Sequence, residues 1–307
     1  MRLALAGDTM LGRSVGAELA RRPPRSFVEP ALVEIVRDAD FFLLNLECCI
    51  SERGEAVPKT FNFRAPPAAV ELLVHLGVDC VTLANNHALD FGPDALLDTF
   101  EHLRAGSIAW VGAGANVEEA RAPAHVKELR IVAFADQEPR SAAQADQPGI
   151  AYADIERGIP DWLRERSRGA LVTPHWGPNM TSEPEPYVHA AAQELREAGA
   201  TLVAGHSAHV FHGVEGNILY DLGDFLDDYR VDPKLRNDLG LLFLVDLEPD
   251  GPERIEAVPL KLEFCFTRLA QDEDAAWIRR RFRDACRALG TEVRVEDGRL
   301  IVETQPR

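Results

Sequence analysis

A chain of 307 residues with 46% hydrophobic content can bury one large core or two smaller ones. Its 50 acidic residues against 33 basic ones give a formal net charge of −17, which argues against a broad nucleic-acid or anionic-membrane surface. One small anionic substrate stays permitted, because bound metal ions invert the local sign.

The opening run MRLALAGDTM is interrupted at Asp8 too soon to be a secretory signal, and no stretch approaches the ~20 apolar residues of a membrane helix. Five cysteines, an odd number with Cys48 and Cys49 adjacent, read as reduced thiols and not as a disulfide framework. The expectation is a cytoplasmic protein.

Apolar runs at 2–6, 41–46, 78–84 and 108–112 are expected strands, with helical patterns between them near 28–38, 68–76 and 94–105. The run 131–135 leads into a polar loop, 136–154, and a helix near 156–166. A strand at 170–174, a helix near 185–198 and the run TLVA at 201–204 follow. This alternation predicts an α/β sheet flanked by helices. After Val210, NILYDLG, LGLLFLVDL and RIEAVPLKLEF read as successive antiparallel strands. A charged helix at 272–289 and a last strand pair complete the chain. No linker separates the two parts, so the expected organisation is a single domain, 1–307, with a core at 2–247 and a strand-helix-strand extension at 253–304.

Chemically capable residues gather at the strand ends. Asp8 follows the first, Asn45 and Glu47 the second, and Asn85, Asn86 and His87 the third. His175 follows 170–174, and His206 and His209 follow TLVA. Ligands of open α/β sheets bind beyond the carboxyl ends of strands, so these clusters are expected to converge. Taken singly, each has a duller reading: a strand-end Asp or Asn is usually a turn or a helix cap. Imidazoles mixed with carboxylates and an amide suit manganese, iron or zinc, and the set exceeds what one ion needs. A centre of two divalent transition-metal ions is the economical reading. His75, His102, His125 and His189 read as structural or solvent-facing, and Cys48, Cys49 and Cys80 as small buried hydrophobes.

The segments GDTML, NLE, KTFNFRAPP, GVDCVTLANNHALDFG, PHWG, AGATLVAGHSAHV and ILYDLGDF, in that order, resemble the CapA family. These are poly-γ-glutamate capsule-synthesis proteins of the calcineurin-like metallophosphatase superfamily, and the resemblance covers roughly residues 2–230. It implies a sandwich of two mixed β-sheets flanked by helices. It implies that Asp8 and His209 bind one ion, that Glu47 bridges, and that Asn86, His175 and His206 hold the second. His87 would act as an acid or electrostatic partner oriented by Asp90, and His212 would lie at the rim, able to touch substrate. The chain departs from the family pattern at Met10, where the superfamily has a histidine. It also has GHSAH for GHHPH and LGDF for LGNF, the last adding Asp224 near the rim. Family members are often membrane-anchored, and no anchor is read here.

Lys59 and Arg64, separated by Phe61 and Phe63 in KTFNFRAPP, are candidates to neutralise a substrate anion; a solvated loop is the equal alternative. The expected function is a dinuclear metallohydrolase cleaving a small-molecule phosphoester. The alternatives are amide or γ-glutamyl hydrolysis or transfer, and a non-catalytic accessory role in capsule biosynthesis.

Overall fold

The computed structural model describes residues 1–304. Its frame is a ten-stranded sheet and a six-stranded sheet, each mixed, with two small strand pairs beside them. In the larger sheet, Arg2–Thr9, Phe41–Leu46, Cys80–Thr82 and Ala109–Val111 run parallel in that order. On the other side, Arg2–Thr9 pairs antiparallel with Leu239–Glu248, which pairs antiparallel with Gly251–Glu263. The C-terminal strands thus extend the same sheet. In the smaller sheet, Leu129–Ala135, Leu171–His175, Leu202–Ala204 and Ile218–Leu219 are parallel neighbours.

The period-two alternation of strands explains how the layers stack. In Leu129–Ala135, Ile131, Ala133 and Ala135 enter the core shared with the larger sheet. Val132 and Phe134 face the other way, into a second core with Leu163, Val188, Ala191 and Leu195 from helices Asp161–Ser167 and Pro186–Glu197. The smaller sheet is therefore covered on both faces, and its strands read as unbroken apolar runs. Each fully buried Leu, Ile or Phe of these cores contributes about 1.5–3 kcal/mol relative to exposure. The architecture is the expected mixed α/β sandwich flanked by helices.

Three local readings are corrected. The helix expected near 156–166 begins at Asp161, because Gly158 adopts φ +101 and Pro160 holds an extended conformation before it. A short helix, Arg13–Leu19, was not expected; its interior Gly16 lowers propensity, yet Val15, Gly16 and Leu19 bury. NILYDLG does not join an antiparallel series. Ile218–Leu219 adds to the smaller sheet in parallel, and the chain then crosses to the larger sheet, where Asp224–Leu226 lies parallel to Arg2–Thr9. That crossing brings a run of aspartates beneath the strand ends of both sheets.

Candidate metal centre

Asp8 lies one residue from the end of Arg2–Thr9 and is 1% exposed. Gly7 makes its placement possible: a Cβ there would fall 1.7 Å from the Gly223 carbonyl oxygen, which accepts the Asp8 N–H at 2.8 Å. Parallel register pairs Asp8 with Asp224, so the two carboxylates leave the sheet on one face. Asn45 on the neighbouring strand donates to Asp8 Oδ1 at 2.7 Å, and Asn85 donates to Asn45 Oδ1 at 2.9 Å. These two amides position the carboxylate.

The imidazoles arrive from the smaller sheet. His175 and His206 form a bridge pair at the ends of adjacent strands. His206 Nε2 meets the Thr173 hydroxyl at 3.0 Å, which leaves Nδ1 turned to Asp8 Oδ1 at 3.5 Å. Glu47 Oε1 lies 3.5 Å from His175 Nε2, and its Oε2 lies 3.9 Å from His209 Nδ1. The Tyr229 hydroxyl donates to the same Oε2 at 3.0 Å. His209 Nδ1 stands 3.2 Å from Asp8 Oδ2 and 2.8 Å from Asp224 Oδ1. Two groups have ligand atoms all within 4.8 Å of one another: Asp8, Glu47 and His175, and Asp8, His209 and Asp224. Asp8 is common to both, so it shares the position between the groups that the resemblance gives to Glu47.

The loop carrying these histidines is strained. Ser207 and His209 adopt φ +114 and +58, conformations costing a non-glycine residue about 1–3 kcal/mol. Asp221 holds it by accepting the Ala208 and Gly223 N–H groups, both at 2.8 Å, and Ser207 N–H donates to Asp8 Oδ2 at 3.3 Å. Gly205 is required by a close approach, since a Cβ would lie 2.1 Å from the Tyr220 carbonyl oxygen.

Among the described residues, all ion pairs of Asp8, Glu47 and Asp224 are to histidines. Burial pushes the carboxyl of Asp224 well above the usual range, and that of Asp221 likewise. In Asp8 and Glu47 burial acts in the same direction, but the imidazoles outweigh it and hold both below their usual values. Burial opposes charge on His209, and Asp224 and Glu47 overcome it, holding that imidazole well above its ordinary pKa. One imidazolium cannot balance so many buried carboxylates; divalent cations can. Glu47 Oε1, Asn86 Oδ1, both ring nitrogens of His175, His206 Nδ1 and Asp224 Oδ2 are buried with no hydrogen-bond partner among the described residues. That donor set of imidazole nitrogens, carboxylates and an amide oxygen fits transition-metal ions.

His87 follows Asn86 and is fixed on every side. Its N–H donates to Asn85 Oδ1 at 3.0 Å, its Nδ1 meets Asp90 Oδ2 at 2.5 Å, and its ring stacks on Phe63 at 4.0 Å. Asp90 also accepts the Phe63 N–H at 2.7 Å. Lys59 reaches Asp90 Oδ1 at 3.1 Å and the Asn86 carbonyl. Its ammonium thus ties this loop to the His87–Asp90 pair. Arg64 stacks on Phe91 at 4.1 Å and donates to the Arg53 carbonyl at 3.4 Å. A cation not singled out from the sequence, Arg13, lies over both Phe63 (5.8 Å) and Tyr229 (6.0 Å), with Nε 3.3 Å from Asp228.

Two placements differ from the sequence expectation. His212 is not at a rim: it is 4% exposed, donates from Nε2 to the Thr181 carbonyl at 3.0 Å, and burial pushes its pKa down to about 4. Asp224 is 1% exposed and belongs to the centre. His75, His102, His125 and His189 lie outside both ligand groups, and Cys48, Cys49 and Cys80 are buried free thiols. Asp221, Arg13 and Tyr229 were missed. The signal available for Asp221 was YDLGDFLDDY, an apolar segment with recurrent aspartates. Arg13 and Tyr229 had none.

The model of the bacterial capsule synthesis protein family PGA_cap matches residues 2–229. The chain belongs to that family. It is of the metallophosphatase kind, as the resemblance implied. A probable polyglutamine synthesis accessory protein of Mycobacterium tuberculosis is 33% identical over 282 residues, covering 83% of this chain and 74% of the relative. The PGA biosynthesis protein CapA of Bacillus subtilis is 26% identical over 315 residues, covering 97% and 80%. The capsule biosynthesis protein CapA of Bacillus anthracis is 25% identical over 281 residues, covering 85% and 67%. Among the described residues, no helix is long and apolar enough to cross a membrane.

Proposed function

We propose that the protein is a dinuclear metal-dependent hydrolase that cleaves a phosphoester of a small molecule. The observation that carries this reading is the pair of buried ligand groups joined at Asp8, with imidazoles as their partners. Asp8, Glu47, Asn86, His175, His206 and His209 would hold two divalent ions of manganese, iron or zinc. Bound there, the ions would supply Lewis-acid polarisation of a phosphoryl oxygen and a nucleophile at neutral pH.

The chain's own residues supply the rest. Asp90 engages Nδ1 of His87, which orients the ring and leaves Nε2 to face the substrate. His87 then gives its Nε2 proton to the departing alkoxide oxygen. Stacking on Phe63 fixes the ring plane. Arg13, above Phe63 and Tyr229, is placed to hold an anionic group of the substrate. A cavity of about 620 Å³ lined by Asp136, Gln137, Tyr152, Glu156, Asn179 and Tyr187 adjoins the centre through Asn179, 3.2 Å from His209 Nε2. That volume suits a small molecule.

The names of the relatives, a polyglutamine synthesis accessory protein and a PGA biosynthesis protein, favour a second reading, a non-catalytic accessory role in polymer synthesis; hydrolysis or transfer at an amide or γ-glutamyl bond is the other alternative. Metal-reconstituted protein assayed against phosphoesters and γ-glutamyl peptides separates these readings. Turnover of a phosphoester is expected. Two bound ions with γ-glutamyl turnover alone would transfer the conclusion to amide chemistry, and two bound ions with neither activity to the accessory role.

A further inference from the structure

Asp224 is the one member of the two ligand groups to which neither the sequence nor the reading above gives a role. Three carboxylates converge on His209 Nδ1: Asp224 Oδ1 at 2.8 Å, Asp8 Oδ2 at 3.2 Å and Glu47 Oε2 at 3.9 Å. The other ring nitrogen, Nε2, faces Asn179 at 3.2 Å. Nδ1 has one proton or one lone pair to offer. A proton satisfies one carboxylate, whereas a cation bound by that lone pair is shared by all of them. Asp224 is 1% exposed, and its Oδ2 is buried with no hydrogen-bond partner among the described residues. Its place is fixed by register with Asp8 and not by a mobile loop.

Met10, two residues after Asp8, offers no comparable donor. It is fully buried, and its Sδ accepts the Gly12 N–H at 3.1 Å. A thioether is also a poor ligand for a hard cation.

We propose that Asp224 is a direct ligand of the ion held by Asp8 and His209, which makes that position oxygen-rich beside an imidazole-rich neighbour. The proposal rests on the dinuclear reading. Around the first position stand three carboxylates, Asp8, Asp224 and Glu47, with one imidazole, His209; around the second stand Asp8 and Glu47 with two imidazoles, His175 and His206. Carboxylate-rich sets suit manganese and magnesium, and imidazole-rich sets suit zinc and iron. The two positions would then differ in metal preference within one centre.

Manganese and zinc titrations of the chelator-stripped full chain, read by calorimetry and elemental analysis, test this. The wild type is expected to bind two ions. Asp224→Asn should weaken one manganese site by about tenfold or more and leave the other within about twofold. The loss at that site should be larger for manganese than for zinc. Two wild-type ions with both manganese affinities unchanged in Asp224→Asn would overturn the role of Asp224 and leave the dinuclear reading standing. A wild type that binds neither metal would remove the dinuclear reading, and this proposal with it. If Asp224→Asn does not fold, a crystal structure of the manganese-loaded wild type decides. A carboxylate oxygen of Asp224 in the ion's coordination shell supports the proposal, and its absence from that shell overturns it.

Discussion

The molecule has two dense acidic regions, built by opposite rules. On the C-terminal strands, Glu256 is met by Arg2 at 3.1 Å, Arg254 at 3.2 Å and Arg299 at 2.7 Å, and Arg254 continues to Glu296 and Glu303. Its guanidinium partners remain 28–35% exposed, so water shares their charge. At the centre, Asp8, Glu47 and Asp224 are sealed from water and meet imidazoles and each other. The first region is balanced by its own side chains. The second has, among the described residues, imidazoles and no guanidinium or ammonium as ion-pair partners. A net charge of −17 counts both regions alike. The partners, and not the count, separate a structural ladder from a candidate metal centre.

The largest expected effect is chemical. His87→Ala should retain metal while lowering kcat on alkyl phosphoesters by about 100- to 10,000-fold, the usual worth of general-acid assistance. Nitrophenyl esters, whose leaving group needs little protonation, should lose far less. Equal losses on both substrates would remove His87 as the proton donor.

Next in size is stabilisation by metal. At a thousandfold excess over Kd, an ion that binds only the folded state adds about 4 kcal/mol, visible in denaturant melts with and without chelator. Glu47→Gln should reduce the occupancy of both ions, since Glu47 faces imidazoles of both groups. Glu256→Gln should leave the metal-dependent gain intact. A gain lost equally in both variants would erase the distinction between the regions.

The smallest effect is one of sign, in chelator-treated protein. Burial opposes ionisation of Glu256, but the surrounding arginines outweigh it and lower its pKa. Its contribution is therefore present above its unfolded pKa and is lost as pH falls through the folded one. Glu256→Gln should cost about 1 kcal/mol at neutral pH, as expected of a network whose guanidinium groups are shared with solvent. The carboxyl of Asp224 is shifted up by burial, so its ionised form opposes folding at neutral pH. Asp224→Asn should therefore raise stability there, with the gain shrinking as pH falls toward the ordinary carboxylate range. Urea melts at two pH values check both signs. The same sign in both variants would mean that the centre is already balanced by protein charge.

Much of this centre was legible from local spacing. Strand ends place side chains at one edge of a sheet, and Asp8, Glu47, His175, His206 and His209 could be marked because each closes an apolar run. The pairing of His87 with Asp90 was implied by the family resemblance, and the structure shows it as a contact across three residues. The contacts of Lys59 with Asp90 and of Arg64 with Phe91 were not legible, because a charge in a loop carries no sign of which carboxylate or ring it will meet.

The sequence by itself determined the alternation of strands and helices, the family, and four residues that share the centre, Asp8, Glu47, His175 and His209. Tertiary structure alone decided the crossing from the smaller to the larger sheet between Leu219 and Asp224. That crossing sets Asp224 beside Asp8, puts Asp221 under the strained GHSAH loop, and leads the chain on to Tyr229 against Glu47. The physical reason is range. Periodicity and capping act over a few residues, whereas the pairing of Asp8 with Asp224 joins strands far apart in the chain, and only the packed sandwich fixes that register.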